Sequence, residues 1–185
     1  MHDPKVIQWK SEASFSTRQQ HRAQSPHQEL WNLLDAVKDP EVPVLSLWDL
    51  GVLCDVQQDA EGKVSVTITP TYSGCPAMDA MRADIATTLA KAGFSDYAIK
   101  VQLSPAWTTD WLSPNGRKQL QQYGIAPPRQ DSCAFAAALT PESGIECPHC
   151  HSDNTSLISE FGSTACKALF QCRDCHEPFD YFKQI

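Results

Sequence analysis

The change from strand to helix that organises the first part of this chain lies in Val64-Ser-Val-Thr-Ile-Thr-Pro-Thr-Tyr-Ser-Gly-Cys-Pro76. Apolar residues alternate with Ser and Thr at the start of this stretch, which predicts a β-strand with one face toward a core. From Met78 to Leu89 apolar residues recur every three or four positions, which predicts an amphipathic helix that ends near Gly93. A strand therefore leads into a helix through a short turn that contains Cys75.

The flanking segments contain further helices and strands. The spacing of apolar residues predicts a helix over 30–37, which a proline ends soon after. Strands are predicted at 51–56 and, from alternation, at 99–103. A last helix is predicted from the N-cap Ser113 to Gly124. We therefore expect an α+β fold, with helices packed on a small mixed sheet.

Residues 1–26 have a different composition, rich in Gln, Ser, His and Arg without a sustained apolar period. This composition predicts a flexible tail. Two aromatic residues, Trp9 and Phe15, leave open the alternative that the tail docks on the protein.

Two domains are predicted after the tail. The first spans 27–128, and a proline-containing linker is expected over 129–145. The remainder, 146–185, is too small for an independent apolar core and needs a staple such as a bound metal ion.

The staple is indicated by two CxxC pairs separated by 21 residues, a gap that suits a β-hairpin. Four thiolates with this spacing predict a small β zinc ribbon whose metal is structural, because no coordination position stays open. Iron is the alternative metal, although rubredoxin-type sites usually place Gly after each pair and a histidine follows here. The predicted ligands are Cys147, Cys150, Cys172 and Cys175.

The charge balance excludes several kinds of partner. The chain of 185 residues has 15 basic and 22 acidic side chains and a net charge of -7, which argues against binding to nucleic acid or to an anionic membrane surface. No apolar run approaches the roughly 18 residues that span a bilayer, and the N-terminus lacks a secretory pattern. We therefore expect a cytoplasmic protein that contacts other proteins.

A candidate site in the first domain combines one thiol with three carboxylates. Cys75 is predicted at or beside the helix N-cap, where unpaired amides favour the thiolate and lower its pKa, although a small capping residue is the alternative interpretation. Asp39, Glu41 and Asp49 are candidates for acid–base chemistry or metal binding. The alternative is that they only stabilise turns.

The same residues carry a resemblance to known families. The stretches Asp39–Gly51 and Thr71–Pro76 resemble iron–sulfur cluster assembly factors of the SufT type. Over roughly 27–185 the chain also resembles the PaaD family, the D components (also called J subunits) of the bacterial phenylacetyl-CoA epoxidase system. The segments that carry this second resemblance are Ala106–Ser113, Gly124–Pro128, Phe161–Ala168 and Glu177–Phe182.

The resemblance implies a role in aerobic phenylacetate degradation. In that system a di-iron oxygenase epoxidises the ring of phenylacetyl-CoA with electrons from a reductase that carries flavin and a [2Fe–2S] cluster. The D component is then an accessory protein without catalysis of its own, which helps to insert or maintain iron or an iron–sulfur cluster in the oxygenase or the reductase. The alternatives are a structural adaptor that handles no cluster and a rubredoxin-like electron carrier with iron in the four-cysteine site.

The resemblance also implies roles for single residues. Cys75 becomes the candidate for transient iron or cluster transfer, with Asp39, Glu41 and Asp49 around it. One cysteine cannot hold a cluster, so a second chain, a homodimer or another cysteine is required. The cysteines that could serve are Cys54, Cys133 and Cys166.

Overall fold

The computed structural model describes residues 14–129 and 145–185. Its helices are α1 (Phe15–Gln24), α2 (Gln28–Leu34), α3 (Leu47–Leu50), α4 (Met78–Lys91) and α5 (Pro114–Tyr123), with a 3-10 turn at Thr109–Trp111. Its strands are β1 (Leu53–Gln58), β2 (Val64–Ile68), β3 (Tyr97–Val101), β4 (Ile125–Ala126), β5 (Thr155–Ser159), β6 (Lys167–Cys172) and β7 (Pro178–Phe182).

The first sheet has the order β1-β2-β3 and confirms the α+β class. β1 and β2 pair antiparallel, whereas β2 and β3 pair parallel, so α4 forms the crossover between them. On β2 the buried residues alternate as the sequence predicts. α4 turns its own apolar face, Met81, Ile85 and Leu89, into the core.

The segment before β1 differs from the prediction. The sequence predicts a strand from 51, but Gly51 ends the one-turn helix α3 in the left-handed conformation with φ 87°. Ser46 caps the start of α3, because its side chain accepts a hydrogen bond from the amide of Asp49 at 3.0 Å. The strand therefore begins two residues later, at Leu53.

The prediction of a flexible tail is wrong for residues 14–26, because α1 packs on the first domain. Arg18 is only 1% exposed, and its guanidinium donates to the carbonyl oxygens of Trp111 at 2.6 Å and Leu53 at 2.7 Å. Phe15 contacts the ring of Trp48 at 5.9 Å between centroids. The sequence does not reveal the docking of α1, because arginine is usually exposed and a pattern of apolar residues counts Arg18 as a surface residue. Residues 1–13, with Trp9, lie outside the described residues.

The second sheet has the order β4-β7-β6-β5 and joins the two predicted domains. β5 and β6 pair antiparallel, as the predicted hairpin requires, β7 pairs antiparallel to β6, and β4 from the first domain pairs parallel to β7. Phe182 on β7 contacts Trp107 with ring centroids 6.0 Å apart, and the amide of Thr109 donates to the carbonyl of Ile185 at 3.1 Å. The ribbon is therefore packed on the first domain, while 130–144 of the predicted linker lie outside the described residues.

The predicted last helix is confirmed as α5. Ser113 is its N-cap and accepts from the amide of Gly116 at 2.8 Å, and Gly124 ends it with φ 91°. In the described part of the chain, no helix combines the length and apolar character needed to cross a membrane.

Candidate functional site

The four cysteines of the ribbon form a preorganised metal-binding cluster. Their Sγ atoms all lie within 4.8 Å of one another. Two of the separations are 3.7 Å, between Cys147 and Cys175, and 3.5 Å, between Cys150 and Cys172. Metal–sulfur bonds of about 2.3 Å in a tetrahedron place the sulfur atoms ~3.8 Å apart, so the donor set fits a zinc-sized ion.

Each pair of cysteines is followed by a histidine in the left-handed backbone conformation, His151 with φ 63° and His176 with φ 65°. This is the position where glycine is common, and the turn directs both thiols of a pair to one point. The amide of Cys175 donates to Sγ of Cys172 and lowers the pKa of that thiol, whereas the pKa values of Cys150 and Cys175 in the same cluster are raised. His151 points its Nδ1 to Glu146 at 2.7 Å and is not part of the cluster.

A second site lies where the ribbon meets the first domain. It is a small cavity of about 10 Å³ that brings thiols from both domains together with two carboxylates. The polar residues that line it are Asp39, Glu41, Thr71, Cys75 and Cys166, and the apolar ones are Val42, Leu50, Met81 and Phe182.

Cys75 reaches this cavity from the turn between β2 and α4. Its amide donates to the carbonyl of Tyr72 at 3.1 Å. Because α4 begins at Met78 with Ala77 as the N-cap residue, Cys75 precedes the cap by two positions. Partial burial raises the pKa of the Cys75 thiol, and the carboxylates of Glu41 and Asp39 add to this, although the amide of Ala77 opposes it. The expected lowering of the pKa is therefore wrong for the protein without metal.

Asp39 and Glu41 lie together at the turn that follows α2. Oδ1 of Asp39 accepts from the amides of Glu41 at 2.8 Å and Val42 at 2.7 Å, so Asp39 stabilises its turn while it lines the cavity. Burial raises the pKa of Asp39, and burial together with Asp39 raises the pKa of Glu41. The structural and the functional interpretation of this pair are thus compatible.

Cys166 comes from the ribbon, directly before β6. Its carbonyl accepts from the amide of Lys183 at 2.9 Å, and its Sγ lies 3.0 Å from the hydroxyl of Thr164. The next residue, Lys167, is buried and pairs with Asp180 at 3.4 Å. Burial raises the pKa of the Cys166 thiol.

Each of the two domains matches a known protein family. Residues 27–101 match the family described as iron–sulfur cluster assembly protein, and residues 132–183 match the PaaD zinc beta ribbon domain. A protein of Escherichia coli (strain K12) assigned as the D component of 1,2-phenylacetyl-CoA epoxidase is 52% identical over 157 residues, which cover 85% of this chain and 92% of that protein. The chain belongs to the PaaD family.

The first domain has further relatives. An Fe-S protein maturation auxiliary factor of Porphyromonas gingivalis is 32% identical over 94 residues, which cover 50% of this chain and 89% of that factor. Among solved structures, a domain of unknown function from Bacillus anthracis is 26% identical and covers 50% of this chain and 89% of that one, with a TM-score of 0.48.

Asp49 is not brought to the cavity in this PaaD-family chain. Its carboxylate accepts from the hydroxyl of Ser113, from the side-chain amide of Asn115 at 3.1 Å and from the hydroxyl of Ser46 at 3.1 Å. These contacts fix α3 to the start of α5. They fit the turn-stabilising alternative for Asp49.

The three cysteines that could assist Cys75 differ in where they lie. Cys54 is buried on β1, away from the cavity lining, and burial raises its pKa to about 12. Cys133 lies outside the described residues. Of the two candidates that the structure describes, Cys166 is the one that lines the cavity with Cys75, through a contact between domains that no local pattern encodes.

Proposed function

We propose that this chain is an accessory protein of the phenylacetyl-CoA epoxidase system that handles iron or an iron–sulfur cluster for a partner component and has no catalysis of its own. The 52% identity to the E. coli D component supports a role in the phenylacetyl-CoA epoxidase system. The similarity of the first domain to iron–sulfur assembly proteins supports the handling of iron.

The observation that carries this proposal is the cavity between the domains. Cys75 lies there half-buried, beside the carboxylates of Asp39 and Glu41. Thiolate is a ligand for iron and its clusters, and carboxylate oxygens can complete the coordination of an iron ion. A half-buried thiol is within reach of a partner, as a residue that passes on a cargo must be.

The ribbon has a different task in this proposal. Its four thiols fill all positions of a tetrahedral ion, so it holds a structural zinc ion and leaves no position for cargo. Most of its aromatic residues pack inward, since Phe179, Tyr181 and Phe182 are buried. The zinc ion thus stabilises a domain that packs against the site of transfer.

The test is anaerobic transfer of iron to an apo-partner, either the reductase or the oxygenase. The wild type and Cys75→Ala are loaded with iron and sulfide, then mixed with the apo-partner, and the rate at which the partner recovers its activity is measured. We expect Cys75→Ala to transfer at least tenfold more slowly, and Cys54→Ala to equal the wild type. Equal transfer by Cys75→Ala and the wild type would overturn the proposal.

The same preparations separate the alternatives. About one zinc per chain agrees with a structural ribbon, whereas iron without sulfide in the four-cysteine site would indicate a rubredoxin-like carrier. Stable co-purification with the oxygenase that is indifferent to Cys75 would indicate an adaptor. Light scattering of each preparation measures whether the chain works as a monomer or a homodimer.

A further inference from the structure

The cavity between the domains contains two thiols, although only Cys75 is needed for the proposal above. Cys75 lies in the turn before α4, and Cys166 is the residue directly before β6. Neither domain alone carries both. The site is complete only when the ribbon is packed on the first domain.

The volume of the cavity limits what it can hold. About 10 Å³ is close to the smallest space that accepts one water molecule, roughly 10–15 Å³. A single metal ion is of this size, whereas a cluster of two irons and two sulfides is several times larger. A cavity of this size therefore suits an ion better than an assembled cluster.

We infer that Cys75 and Cys166 together bind one divalent transition-metal ion in this cavity, with an oxygen of Glu41 or Asp39 as a further ligand. This inference rests on the proposed function and narrows its cargo to an iron ion. One oxygen of Asp39 is held by two backbone amides, which leaves Oδ2 for the ion. Both thiols lose their protons on binding, and the anionic ligands then offset the two charges of the ion, so that no unpaired positive charge is buried.

The two metal sites differ in preorganisation. Among the described residues, the ribbon cysteines are the group whose ligand atoms already lie within 4.8 Å of one another. The ligands in the cavity must therefore be drawn together by the ion, and binding that moves its ligands is weaker than binding to a preformed site. We therefore expect a resident zinc ion in the ribbon to be bound more tightly than a cargo ion in the cavity.

The two sites are also well separated. Cys166 precedes β6 and Cys172 ends it, and six residues of strand at about 3.3 Å each span about 20 Å. An ion in the cavity therefore cannot share ligands with the ribbon. Metal binding at one site can be measured while the other stays filled.

The experiment uses the full chain with zinc in the ribbon, kept anaerobic, and Co²⁺ as a spectroscopic probe. Thiolate ligands give a charge-transfer absorption on Co²⁺ whose intensity rises with the number of sulfur ligands. We expect about one Co²⁺ per chain with retained zinc, and about half of the absorption in Cys75→Ala and in Cys166→Ala. The double variant should show none, and Cys54→Ala should match the wild type.

Retention of the full absorption and affinity in Cys166→Ala would overturn the inference. Cys166 is buried, so retained zinc and an unchanged circular dichroism spectrum are required of each variant, and Cys166→Ser serves as a second, more conservative change. Direct titration with Fe²⁺ should repeat the order of affinities found with Co²⁺. Displacement of Co²⁺ from the cavity by Fe²⁺ supports the inference, and binding of both ions to the same chain without displacement contradicts it.

The transfer assay distinguishes this inference from the proposed function. If Cys75→Ala abolishes transfer while Cys166→Ala changes neither transfer nor Co²⁺ absorption, the inference fails and the proposed function stands. If the absorption falls as expected in both variants but transfer is unchanged in both, the cavity binds metal and the proposed function fails.

Discussion

Arg18 is the residue by which the docking of α1 can be tested most directly. Its buried guanidinium donates to two backbone carbonyls, those of Trp111 and Leu53, and lies 4.4 Å from the centre of the Trp48 ring. Burial lowers its pKa to about 10, so the group stays charged at neutral pH. We predict that Arg18→Met, which keeps the apolar stem but removes the charge and its donors, destabilises the protein.

The size of the effect follows from these contacts. Each carbonyl left without its donor costs about 1–3 kcal/mol, and the lost contact with the tryptophan ring adds about 1–2 kcal/mol. Removing the charge also relieves its desolvation, which the lowered pKa of Arg18 puts at about 3 kcal/mol. Two carbonyls and the ring contact together lose about 3–8 kcal/mol, and the relief of about 3 kcal/mol leaves a net loss of about 0–5 kcal/mol. We take the middle of this range, about 2–3 kcal/mol, which lowers the melting temperature by about 5–10 °C.

The assay is unfolding by heat and by urea, followed by circular dichroism. Arg82→Met is the matched control, because Arg82 is an exposed arginine in the middle of α4 and its loss should change stability by less than about 0.5 kcal/mol. If Arg18→Met and Arg82→Met unfold at the same midpoint, the docking of α1 through Arg18 is refuted.

Three further predictions concern the interface between the domains, the turn at Gly51 and the ribbon metal. Phe182→Ala removes a buried ring between the domains and should cost about 3–5 kcal/mol in urea unfolding, whereas Phe161→Ala, 66% exposed, should cost under about 1 kcal/mol. Gly51→Ala places a Cβ 2.8 Å from a tryptophan Cβ and should cost about 1–3 kcal/mol more than Gly93→Ala, which has the same backbone conformation in open space; equal melting temperatures would contradict this. Chelation of the ribbon metal should expose Cys166, which is 6% exposed, to a thiol reagent, as measured by mass spectrometry of the labelled peptide, and unchanged protection of Cys166 would contradict the coupling.

The ribbon is predictable from sequence because its information is local. Two residues between paired cysteines fix the turn that directs both thiols to one ion, and the observed sulfur separations fit that expectation. The strand and helix on either side of Cys75 are predictable for a similar reason, since β2 and α4 follow their periods of two and 3.6 residues. Where the pattern repeats within a few residues, sequence and structure agree.

The missed features depend on contacts between distant segments. α1 is held by carbonyl groups of residues far along the chain, and an arginine that finds such acceptors looks no different in sequence from one in solvent. The sequence leaves the partner of Cys75 undecided for the same reason. β4, the strand that helps to seat the ribbon, is only two residues long and has no readable period.

The strand β6 explains why one small protein would combine these two domains. One end carries Cys172 of the four-cysteine cluster, and the other end follows Cys166 at the cavity. A paired strand is stiff along its length, and β6 is paired on both sides, with β5 and β7. The ribbon metal, by fixing one end of β6, therefore helps to fix the position of Cys166 against Cys75. On this argument the zinc ribbon supplies the first domain with the second thiol that a lone cysteine requires.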